Sequence, residues 1–274
     1  MPDSDPICSA GNGLELISKV ITIIGDNPHT KETVDNLGKS IATITTTVDN
    51  ILLPLAAINF AIKKAKIYFS EQFPQDIAET AKAIPPDQII EPKASIAGPI
   101  LQGLAFTHEE PNLKEMYLKL LATSMDGRYT SLAHPAFVEI IKQFDCEEAR
   151  LVRRLLQSSN PSPIVQILRE VNSPRGFQLL ASHLINLIDQ ETGIPVEDPH
   201  IPAMIDNWVR LGLAEVKYDT QLTDDSLYSW ADQRPEFLHL SQEPQANGTI
   251  LKIQKGIIQR TAFGKRFAIA IGVS

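Results

Sequence analysis

Apolar residues spaced three and four apart run through the first half of the chain and constrain its fold more than any other feature. Ile41, Ile44, Val48, Ile51, Leu52 and Leu55 keep that rhythm, which puts them on one buried helical face. The β-branched Thr43, Thr45, Thr46 and Thr47 lower intrinsic helix propensity, so packing must hold this segment. Leu55, Ile58, Ile62, Ala65 and Phe69 continue the stripe from Pro54, a residue that either kinks a helix or opens one. After the prolines at 74, 85, 86 and 92, helices are expected over 96–106 and 111–124, the second presenting Leu113, Met116, Tyr117, Leu120 and Leu121 on one face. Pro111 suits a first helical turn, where its missing N–H costs nothing.

The polar stretch 124–132, SMDGRYTSL, is the best boundary between a helical region and the remainder of the chain. Phe137, Ile140, Ile141 and Phe144 then mark a helix, and Asp145 with Glu148 three residues on has the spacing of a capped start. Further helices are expected over 163–169, 176–189 and 202–211, the last stopping at Gly212. Ala214, Val216 and Tyr218 alternate with Glu215 and Lys217, a strand pattern, and a strand pair is expected over 250–253 and 257–260 around Gly256. Thr261 is placed to cap a closing helix. The fold class expected is therefore mainly α with a small β component: a flexible segment over 1–30, a helical domain over 31–130, and a winged-helix-like domain over 131–274. In that last domain 202–211 takes the recognition-helix position and 218–248 an enlarged wing.

The formal net charge is −8. Residues 1–150 hold 13 basic and 20 acidic side chains, a balance of −7, whereas residues 250–274 hold five basic groups and no acid. Phosphate binding needs a broad basic field, and only the tail offers one. Cys8 and Cys146 follow no metal or framework spacing, which fits a reducing compartment and a cytoplasmic location. The near-apolar stretch 51–62 is broken by Pro54 and Asn59, and twelve helical residues reach only about 18 Å, short of a bilayer core. No transmembrane span and no secretory leader is expected.

The stretches IIEPKASIAGPILQGLAF (89–106), EEPNLKEMYLKLLATSMD (109–126), HPAFVEIIKQF (134–144) and GIIQRTAFGKRFAIA (256–270) resemble the abortive infection alpha family of bacterial proteins, over roughly residues 35–270. The resemblance implies a bacterial cytoplasmic protein of phage defence and supplies no catalytic residues or cofactor to carry over.

Candidate sites are few. No phosphate-binding glycine loop or nucleophile elbow occurs, and His108 in THEEP has Asn112, not His, four residues on, so it lacks zinc-protease spacing. No catalytic residue, cofactor or metal is expected. Asp126, Arg128, Tyr129 and His134 form the densest local mixture of functional groups and are candidates for contact with another protein surface; the partner expected of the chain is a protein or, by self-association, a second copy. Asn207 and Arg210, with Lys252, Lys255 and Arg260, are candidates for nucleic-acid contact. The helix around 51–69, apolar on one side and carrying Lys63, Lys64 and Lys66 on the other, could meet a membrane surface. The preferred expectation is an antiviral component acting by macromolecular interaction. A nucleic-acid-binding regulator and a membrane-active effector are the alternatives.

Overall fold

A computed structural model of the chain describes residue 38 and residues 59–172, 175–189, 191–244 and 249–273. The expectations for residues 1–30 and for the stripe from Ile41 to Leu55 lie outside the described residues. Helices dominate, accompanied by a small four-stranded sheet, as the apolar rhythm and the late alternation require. Two units are separable, one formed by Met1–Leu151 with Phe267–Ser274 and the other by Val152–Arg266.

In the first unit, α1 (Asn59–Ile67) passes through a π turn (Tyr68–Gln72) into α2 (Phe73–Ala81), followed by α3 (Ala94–Thr107), α4 (Pro111–Met125), α5 (Pro135–Ile141) and the start of α6 (Cys146–Gln157). Pro111 opens α4 as its missing N–H allows. The α3 and α4 helices approach closely at Gly103, where an added Cβ would lie 2.4 Å from the Tyr117 ring. Ile100, Leu104, Leu120 and Leu121 are fully buried, as the stripes over 96–106 and 111–124 foretell, and Ile77 and Met125 join them in the core. Phe267 joins this unit with its ring centroid 5.3 Å from that of Phe137. The Asp145 carboxylate accepts from the backbone N–H of Glu148 at 2.7 Å and so caps α6.

In the second unit, β1 (Ser162–Asn172) and β2 (Arg175–Leu184) form an antiparallel hairpin, then come α7 (Ile201–Arg210), β3 (Ala214–Lys217), two short 3-10 turns, α8 (Pro235–Gln242), β4 (Thr249–Arg260) and the start of α9 (Ala262–Ala270). The sheet order is β2-β1-β4-β3, antiparallel throughout. Two of the expected helices are corrected here: residues 163–169 and most of 176–189 are strand. Both faces of β1 are covered between 164 and 168, with Ile164, Val165, Ile167 and Leu168 all buried, so its apolar positions imitate a helical stripe instead of alternating. In β2, register shifts against β1 on either side of Ala181 displace the phase of its leucines.

The strand pair expected around Gly256 is one continuous strand. Gly256 is required there by close approach, because a Cβ would meet the Lys217 carbonyl oxygen at 2.5 Å and the Tyr218 ring at 2.6 Å. Val165 and Ile167, with Leu251 and Ile253 beside them, pack against Tyr228, Ala231, Trp230, Phe237 and Leu240, so the excursion after β3 covers one sheet face. Thr261 caps α9 as expected, its hydroxyl accepting from Gly264 N–H at 2.9 Å.

Candidate interaction site

The turn that ends α4 gathers three of the four residues singled out there. Asp126, almost fully buried, accepts from Arg128 three times: from its backbone N–H at 3.0 Å, from Nε at 2.9 Å and from Nη2 at 2.7 Å. This fork-to-carboxylate geometry is the strong form of an ion pair. The guanidinium hydrogen bond holds the Asp126 carboxyl below the usual carboxylate range, against the opposing effect of burial. Arg128 in turn lies 5.1 Å from the centre of the Tyr129 ring. The preceding connection is sewn to the turn by Gly127 N–H to Gln88 O at 2.8 Å and Ile90 N–H to Met125 O at 2.9 Å. Tyr129 and Ile90 stay 47% and 41% exposed, one on each of the two segments that these backbone hydrogen bonds join. His134 stands apart from this group, because its Nδ1 accepts from Ala136 N–H at 3.1 Å and caps α5.

The basic candidates of the second unit are engaged with their own chain. Lys252 Nζ pairs with Glu170 at 2.8 Å. Lys255 Nζ lies 2.8 Å from Asp225 and 5.3 Å from the Tyr228 ring centre. Arg260 donates to the Leu156 carbonyl at 2.6 Å and to Ser159 Oγ at 3.1 Å, and Arg210 donates to Asn207 on the same helix. The pairings of Lys252 and Lys255 offset charge that phosphate contact would need, whereas these acceptors of Arg260 and of Arg210 are neutral groups.

The apolar side expected to meet a membrane is likewise occupied at Ala65 in α1 and at Phe69 in the π turn. Ala65 is 1% exposed and Phe69 is 3% exposed, so these two belong to the core and are closed to a membrane surface.

Two polar clusters join residues whose long-range partners the sequence does not display. At the π turn, buried Tyr68 donates to Asp76 Oδ2 at 3.1 Å, Lys114 Nζ donates to the same oxygen at 3.0 Å, and the His108 ring stacks on Tyr68 at 4.8 Å. Burial first, and the Asp76 carboxylate second, push the Tyr68 hydroxyl well above the ordinary phenol range. Lys64 closes the group through Glu109 at 2.6 Å. These partners are up to 45 residues apart, so no local motif could announce them; the π turn, a conformation frequent at functional sites, is visible only in coordinates. In the second unit His183, held at φ 57°, has Nε2 3.1 Å from Asp206 and Nδ1 3.1 Å from the Tyr218 hydroxyl, whose pKa burial pushes up to about 12.

Among the described residues, no group of three or more His, Cys, Asp or Glu side chains could hold a metal ion, and no helix is long and apolar enough to cross a membrane. The class so defined is a mostly helical protein with one small antiparallel sheet, its polar clusters built as ion pairs and caps. The chain belongs to the abortive infection alpha family, whose model matches residues 66–271. No curated protein and no solved structure matches it. Membership gives it a role in antiviral defence by abortive infection, exerted through protein interaction.

Proposed function

We propose that the turn after α4 is the surface through which this defence protein engages a protein partner, with Tyr129 and Arg128 as the contacting side chains and Asp126 as their anchor. The observation that carries the reading is the pairing of a nearly half-exposed tyrosine and isoleucine with a buried carboxylate clamp. Tyrosine and arginine are the residue types on which binding energy concentrates, and a preorganised support spares the entropy of ordering them. His134 fixes the start of α5 and so the far side of the same loop. The working compartment in this reading is the cytoplasm, in keeping with a role against phage.

Tyr129→Ala and Ile90→Ser are expected to abolish phage protection while thermal unfolding stays near that of the unaltered chain. Full protection by both variants, expressed at equal level, would reject the surface. A winged-helix role for α7, β3 and β4 is the second reading. It is supported by the helix followed by two paired strands, and it gives Asn207, Arg210, Lys252, Lys255 and Arg260 to nucleic acid. The ion pairs of Lys252 and Lys255 weigh against it.

A further inference from the structure

The sheet has a second face near the hairpin end, opposite the one covered by the excursion after β3. Residues directly paired across strands share a face. Glu170 is paired with Phe177 on β2 and with Ile250 on β4, and Leu168 is paired with Leu179 and with Lys252. Five of these six side chains are open to solvent. Phe177 is 70% exposed, Ile250 57% and Leu179 50%, while Glu170 and Lys252 are 41% and 54% exposed and bridge each other at 2.8 Å. Phe177 is the most exposed large apolar side chain among the described residues. Glu170 on the central strand lies between Phe177 and Ile250, and Lys252 lies across Leu168 from Leu179, so the ion pair sits among the apolar side chains, and large apolar side chains gathered in the open on one face mark a contact surface.

The charges decide what fits it. The patch holds one acid and one base and is neutral, in a chain of net charge −8. A polyanion or an anionic bilayer finds no excess of positive charge there. A second copy of the same patch, turned about a two-fold axis, presents an acid where the first has a base and apolar side chains where the first has apolar side chains, the self-complementarity that an isologous contact demands. We propose that this face is a self-association surface whose occupant is a second copy of the chain, with Glu170 of each copy meeting Lys252 of the other around Phe177, Leu179 and Ile250. Five exposed side chains are far fewer than the roughly 20–30 residues a side of a standard interface, so the dimer is concentration-dependent.

Sedimentation velocity across a concentration series tests it on the full chain. The unaltered protein is expected to shift from monomer to dimer, and Phe177→Ser, which leaves the ion pair in place, to weaken association by about tenfold or more. Glu170→Lys makes the patch doubly basic and Lys252→Glu makes it doubly acidic. Each variant alone is expected to remain monomeric, and an equimolar mixture of the two to dimerise. A monomer at every concentration for the unaltered chain, or dimers that persist undiminished in both charge variants, would overturn the surface. Circular dichroism and thermal unfolding of each variant verify that these exposed changes leave the fold intact, and Phe177→Ser decides the question should a charge variant fail that check.

Discussion

At the scale of single residues, the pair Asp126 and Arg128 links stability to acidity. A carboxyl held below its ordinary value in the folded chain binds its proton more weakly there than when unfolded, so its contribution is fully present above the unfolded value, near 3.9. That contribution is lost as the pH falls through the folded value. Arg128→Met removes the guanidinium hydrogen bond that is the first cause of the depression. The expected outcome is a flatter loss of stability as the pH falls below about 4 than in the unaltered chain, followed by denaturant unfolding at stepped pH. An unchanged acid limb would show that the clamp contributes nothing. Asp145 makes a simpler case, because its carboxylate satisfies the orphan N–H of Glu148 at the start of α6. Asp145→Ala should cost about 1 kcal/mol in equilibrium unfolding, and Asp145→Asn much less, since the amide oxygen can accept the same bond. Both residues could be found in sequence: Asp145 by its spacing to Glu148, and Asp126 by its place in a polar stretch beside Arg128. What sequence could not supply was the division of labour, in which Asp126 grips Arg128 while His134 caps the next helix.

At the scale of elements, close approach decides which substitutions the packing tolerates. Gly103 sits where α3 meets the buried ring of Tyr117, and a methyl group there would overlap the ring. Gly103→Ala should destabilise by about 1–3 kcal/mol in denaturant unfolding, and pairing it with Tyr117→Leu should recover part of the loss. Full additivity of the two changes would mean that the clash is relieved elsewhere. Buried Arg234 ties the excursion after β3 to the loop before α7, donating to the Leu187 and Val196 carbonyls at 3.1 and 2.8 Å while its Nε reaches Glu236 at 2.9 Å. Arg234→Met leaves Glu236 little exposed and unmatched, and should cost about 3–5 kcal/mol in the same measurement. The helices of the first unit were legible because each buries one side of a cylinder, and a one-sided stripe has a period that sequence displays. The hairpin was misread for the converse reason: β1 is covered on both faces between 164 and 168 and β2 slips register around Ala181. Gly256 misled in the same way, since a glycine demanded by the neighbouring Lys217 carbonyl looks in sequence like a turn.

For the molecule as a whole, charge separates the competing functions. The basic tail was legible as five cations without an acid between residues 250 and 274, yet the pairing of its two lysines Lys252 and Lys255 with carboxylates was not, because Glu170 and Asp225 stand 82 and 30 residues from them. Ion pairs between exposed partners contribute little to folding, but they lower the local potential that would gather phosphate and release its counterions. The protein should therefore show no saturable binding to duplex DNA or single-stranded RNA in fluorescence anisotropy, even at low ionic strength. Glu170→Gln together with Asp225→Asn frees both lysines and is expected to raise any residual binding, with a steeper dependence on salt. If the unaltered chain instead binds tightly, and Lys252→Gln with Lys255→Gln removes that binding, the tail is a nucleic-acid surface in spite of its pairing, and the second reading of function displaces the first.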